Sequence, residues 1–92
     1  MYYKVRISGA DFAVFGHPDV RHMNISVQWV DDGVAELFAS AVCLEDGKRY
    51  LYDWVQHRLA ATDTVEILPT DETNVPSPRI KREMRSVSGD EP

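Results

Sequence analysis

The dipeptide Asp46-Gly47 lies between two long stretches in which apolar and polar side chains alternate. A two-residue hairpin turn requires positive φ at both positions, which Asp and Gly tolerate. With these residues as the loop, Cys43 faces Tyr50, Ala41 faces Tyr52 and Ala39 faces Trp54. Small residues oppose large ones in all three pairs, the arrangement that lets layers interdigitate. Asp31-Asp32-Gly33 offers a second constraint, because a three-residue hairpin loop ends on a residue in the left-handed region, usually Gly. It sets Trp29 against Ala35, Val27 against Leu37 and Ile25 against Ala39. Both hairpins then put their apolar sets on one side of the central strand. A two-residue loop at Asp32-Gly33 would instead set Trp29 against Glu36, and such a slip exchanges the faces of the whole strand.

These hairpins define strands at about 24–30, 34–44 and 48–57. Tyr3, Val5 and Ile7 alternate with Tyr2, Lys4 and Arg6 in an earlier strand that ends at Ser8-Gly9, and Val65 and Ile67 mark a later one over 64–68. The expected fold is mainly β: an antiparallel five-stranded meander forming a small sandwich or half-barrel, with a C-terminal tail or short helix. The β domain is expected over 1–69. Residues 9–23 are too long for a tight connection, and are either a functional loop or hold an unresolved element such as a short strand at 11–15. After Pro69 the chain turns polar, so 70–92 reads as an extended tail. Ser77 and Pro78 suit a helix start, and Ile80, Met84 and Val87 would share one face of a short helix at about 78–87.

The 92 residues suffice for one small core, and the single cysteine excludes an intramolecular disulfide or a cysteine metal cluster. No apolar leader or membrane-length run is present, so the expected location is cytoplasmic. The net charge of −5 disfavours general nucleic-acid binding and suits a basic partner. Charge is uneven: residues 1–75 carry 6 basic and 12 acidic side chains, residues 76–92 carry 4 and 3. The basic cluster Arg79, Lys81, Arg82 and Arg85 would grip an acidic patch or fold back on the acidic body.

No catalytic, cofactor or metal motif stands out, and none is expected. His17-Pro18-Asp19 with His22 has ligand chemistry, yet an ordinary polar turn explains it more simply. Cys43 and His57 fall on opposite faces of the expected register, so Cys43 reads as a small buried hydrophobe rather than a nucleophile. Ser40, Asp53 and His57 share a face, but Asp53 and His57 are about 13 Å apart by strand rise, too far for a triad. Glu36 opposite His57 reads as a surface pair. Tyr50, Tyr52 and Trp54 could stack bases, but the small residues facing them indicate core packing.

The other face of the meander is mixed. It carries an apolar island of Phe38, Val42, Leu51 and Val55, ringed by Glu36, Asp53 and His57. A sheet face in contact with water should not carry such a cluster without a cover. The cover would be the first and fifth strands, a second copy of the chain, or a foreign partner. A foreign partner would bring a basic rim to match Glu36, Asp53 and the Asp31-Asp32 turn.

The stretch Tyr52-Asp53-Trp54, Leu59, Asp63-Thr64-Val65-Glu66-Ile67 and Asp71-Glu72 resembles the ending of small bacterial proteins found beside polymorphic toxins, some of which look like immunity proteins. The resemblance covers about residues 50–72. It implies a cytoplasmic, non-enzymatic inhibitor that neutralises a toxin or effector by occluding it, with no binding residues carried over. The alternatives are a small enzyme or ligand-binding β domain using residues 9–23, or a homo-oligomer subunit such as a homodimer.

Overall fold

The computed structural model describes residues 1–30 and 33–84. Seven strands form: β1 (Tyr2–Ile7), β2 (Ala10–Gly16), β3 (Val20–Val30), β4 (Val34–Glu45), β5 (Lys48–Arg58), β6 (Val65–Pro69) and β7 (Ile80–Met84). They make two antiparallel sheets, one ordered β2-β1-β6 and the other β3-β4-β5-β7. The fold is mainly β as expected, but it has seven strands rather than five and no helix among the described residues. Accordingly, among the described residues no helix is long and apolar enough to cross a membrane.

The two hairpins read from turn chemistry are present. Trp29 pairs with Ala35, Val27 with Leu37 and Ile25 with Ala39. Cys43 pairs with Tyr50 and Ala41 with Tyr52. Gly33 and Gly47 have φ of 80° and 77°, and Asp46 has 52°. Asp31 and Asp32 lie outside the described residues.

The register of the second hairpin departs from expectation at one point. Ser40 pairs with Asp53 and Ala39 with Val55, so Trp54 is an extra residue in β5. Such a bulge puts two residues opposite one and shifts the alternation beyond it. Trp54 is still buried, at 6 % exposure, but Ala39 pairs with Val55, Phe38 with Gln56, Leu37 with His57 and Glu36 with Arg58. The expected pairs Phe38–Val55 and Glu36–His57 are therefore absent.

The segment 9–23 is mostly strand. Ser8 and Gly9 both have positive φ, 51° and 81°, and turn β1 tightly into β2. β2 hides from a search for alternation because Phe12 is bulged: Val5 pairs with Ala13 but Arg6 pairs with Asp11. At the far end Gly16 lies under Tyr2, where a Cβ would come within 2.3 Å of the ring.

The expected helix at 78–87 is replaced over 80–84 by β7, which pairs with β5 from Arg49 to Asp53. Ile80 and Met84 are four apart, a spacing that suits a helical face and a strand face equally. The open edge of β5 decides between them by supplying a ladder of backbone partners. Residues 85–87 of that expectation lie outside the described residues.

Between the sheets lie Val5, Phe15, Leu37, Ala39, Ala41, Cys43, Tyr52 and Trp54, all at most 9 % exposed. Phe15 of β2 meets Trp54 of β5 with ring centroids 5.8 Å apart. The Trp54 indole N–H is buried without a hydrogen-bond partner among the described residues. The strands of the smaller sheet run 5–7 residues, whereas β3, β4 and β5 run 11–12. The long sheet therefore overhangs the short one. Trp29 shares the inner face with Ile25 and Val27, yet it is 73 % exposed.

Candidate binding face

Period-two alternation sends every other residue of the four-stranded sheet away from the core. On β4 these are Glu36, Phe38, Ser40, Val42 and Leu44; on β5 they are Arg49, Leu51 and Asp53, then Gln56 and Arg58 beyond the bulge. β7 adds Ile80 beside Asp53, Arg82 beside Leu51 and Met84 beside Arg49. β3 contributes Asn24, Ser26 and Gln28. The shorter sheet packs on the opposite side, so the first and later strands cover the inner face and no described strand covers this one.

Five of the seven expected site residues meet here: Glu36, Phe38, Val42, Leu51 and Asp53. Val55 and His57 do not. The bulge at Trp54 turns both inward, where Val55 packs against the core and the His57 ring lies 4.8 Å from that of Phe12. In their place the tail supplies Ile80 and Met84, 42 % and 39 % exposed. No local signal separates this strand from a helix, because Ile80 and Met84 stand four apart with three charged residues between them.

The charge of the face also differs from expectation. Arg79 donates from Nε and Nη2 to the two carboxylate oxygens of Asp53, at 3.2 and 3.1 Å. Gln56 donates to Glu36 Oε1 at 2.9 Å. Asp53 is thus paired with a cation, whereas Glu36 takes a neutral donor and keeps its charge. Among the described residues, Arg49, Arg58 and Arg82 have no carboxylate within salt-bridge distance. Three arginines against the one carboxylate of Glu36 make the rim of the island net basic where an acidic rim was expected.

A second polar cluster sits at one end of the sandwich. Glu45 accepts hydrogen bonds from Tyr52 Oη, from Lys81 Nζ at 2.9 Å and from His17 Nε2 at 2.7 Å. The Nδ1 of His17 accepts the Asp19 backbone N–H at 2.9 Å, which leaves Nε2 as the donor. The Tyr52 hydroxyl, then Lys81 and His17, pull the Glu45 pKa down to about 2. Lys81, its pKa raised by the Glu45 bond, also lies 4.8 and 5.3 Å from the ring centres of Tyr50 and Tyr52. A carboxylate already holding three donors is no free base; its role here is to fasten β7 to β4 and β5. Burial pushes the neighbouring Cys43 thiol up to about 11, which keeps it unreactive.

His17 is occupied by Glu45 and Asp19, while His22, on β3, pairs with Val42 of β4, so the two histidines of the polar turn do not converge. Among the described residues no group of three His, Cys, Asp or Glu side chains is placed to hold a metal ion. Two clefts open between the sheets. One, about 420 Å³, is lined by Tyr3, Val20, Met23, Ile25 and Ile67 with Arg21 and His22. The other, about 540 Å³, lies under the overhang by Trp29, Leu59 and Val65. No protein-family model, no curated protein and no solved structure matches the chain.

Proposed function

We propose that this chain is a non-enzymatic binding protein that engages another protein through the outer face of its four-stranded sheet. The observation that carries the reading is the strip of half-buried Phe38, Val42 and Leu51 with exposed Ile80 and Met84, over which no described strand packs, bordered by Arg49, Arg58 and Arg82. An apolar centre with an arginine border is the usual anatomy of a protein-binding surface. The partner should present apolar side chains inside a carboxylate rim. The net charge of −5 weighs against a polyphosphate partner, because the body of the protein would repel it.

The most concrete form of this reading is an immunity-type inhibitor that occludes a toxin or effector in the cytoplasm. It is supported by the resemblance at residues 50–72 and by a face that needs no chemistry to act. The test is to capture partners from the source cells with the wild-type chain and with Phe38→Asp/Leu51→Asp. Wild type should retain a protein that the folded double variant does not, and should protect cells expressing that protein. Equal capture and protection by the double variant would move the functional surface elsewhere.

A further inference from the structure

Each sheet has two edge strands, and three of the four are guarded. β2 carries Asp11 and the Phe12 bulge; β6 is short, carries Glu66 and ends at Pro69; β7 is short and carries Lys81, Arg82 and Glu83. Charges, proline, bulges and brevity are the ordinary means of stopping an edge from pairing with another chain. β3 has none of them over residues 23–30: the run is uncharged and free of proline and glycine, and its register with β4 is unbroken there. Its one irregularity lies between Val20 and His22.

The same strand carries a knob and a hole. Trp29, near one end on the inner face, is 73 % exposed. Near the other end Met23 and Ile25 line the 420 Å³ cleft beneath Ile67, itself 43 % exposed. We propose that β3 is a homodimer interface in which two copies pair their β3 strands antiparallel about a two-fold axis at Ser26. The two four-stranded sheets then become one sheet of eight strands. In this register Trp29 of each copy stands opposite Met23 of the other and fills its cleft, and Ile25 stands opposite Val27. On the outer face Asn24 meets Gln28, and Ser26 meets Ser26. The interface is isologous, with each copy giving the knob and the hole. A slip of one residue would set inner side chains against outer ones. Charge does not set the register, because Arg21 is held by Asp19 of its own chain at 2.9 Å; the knob and the hole do. The inference is independent of the outer-face reading, since the dimer leaves Phe38, Val42 and Leu51 free.

The experiment is light-scattering mass across a concentration series, combined with oxidative crosslinking. Wild type should run at twice the chain mass. Ser26→Lys, which sets two like charges against each other at the axis, and Trp29→Ala, which removes the knob, should each shift it to the single-chain mass with circular dichroism unchanged. Ser26→Cys should form a covalent dimer on mild oxidation, because paired strand positions fall within disulfide reach. Gln28→Cys should not, because its two copies lie several residues apart along the strands. The buried Cys43 stays out of this chemistry. A wild type that remains monomeric at every concentration would overturn the proposal. So would a dimer that survives Trp29→Ala and Ser26→Lys, or one that crosslinks through Gln28→Cys instead.

Discussion

Both faces of the four-stranded sheet carry an apolar cluster, yet only one became core. The inner face sets Ala41 and Cys43 of β4 against Tyr52 and Tyr50 of β5, and the short sheet closes over them. The outer face sets Val42 against Leu51 and places Phe38, Ile80 and Met84 around them, with no steep change of size. Alternating small and large side chains leave a surface of ridges and hollows, into which a second sheet can lock Phe15 and Val5. The inner cluster is continuous and interdigitated, whereas the outer one is interrupted by Glu36, Ser40, Asp53 and the arginines. An apolar island broken by polar side chains, with arginines at its border, is better matched to a partner that can dock and leave.

The sharpest way to break this contrast is to hollow out the inner face. Trp54→Ala should cost about 3–5 kcal/mol in urea or thermal unfolding, comparable to the whole stability of a small domain. An unchanged midpoint would show that the inner face is not the core. Next comes the turn that assigns residues to faces. Gly47→Val forces a β-branched residue into left-handed backbone and should cost about 1–2 kcal/mol in the same assay.

The third test concerns β7, which carries Ile80 and Met84 to the outer face. The Glu45 pKa is lowered in the folded state from its ordinary 4.5 to about 2. Its contribution is therefore complete above about pH 4.5 and is lost as pH falls towards 2. The thermal midpoint should hold from neutral pH to about 5 and decline below 4.5. Glu45→Gln should start lower and flatten that decline; an acid limb identical to wild type would show that Glu45 does not fasten β7. The smallest effect belongs to the outer face. Phe38→Asp with Leu51→Asp should change stability by less than about 1 kcal/mol. Unfolding of this variant would mean that the face is structural rather than functional.

How much of this was legible follows from how local each signal is. The hairpins at 31–33 and 46–47 were readable because turn chemistry and flanking alternation constrain each other within a dozen residues. The Trp54 bulge carries no mark in the sequence. Trp54, Val55 and His57 read as plain alternation, and this is why Val55 and His57 were assigned to the wrong face while Phe38, Val42 and Leu51 were assigned to the right one. β2 was obscured by its own bulge at Phe12. β7 was missed because Ile80 and Met84 fit both periods, and the deciding partner, β5, lies about thirty residues earlier in the chain. The basic rim was missed for the same reason. Arg79 neutralises Asp53 across that distance, and Arg82 reaches the face only once β7 has docked.

The strand order also bears on how the chain assembles during synthesis. β1 and β2 are joined by a tight turn, and β3, β4 and β5 by hairpins, so these pairings are local in sequence. Yet Tyr3 waits for Pro69, and the free edge of β5 waits for residues 80–84. Each sheet is thus completed by a strand from the last third of the sequence, and the loops these late pairings close are long and entropically slow. Until they form, two uncapped hairpin ladders stand open to any neighbouring chain on the same messenger. Dense ribosome loading should therefore lower the yield of correctly folded protein more than slow elongation does.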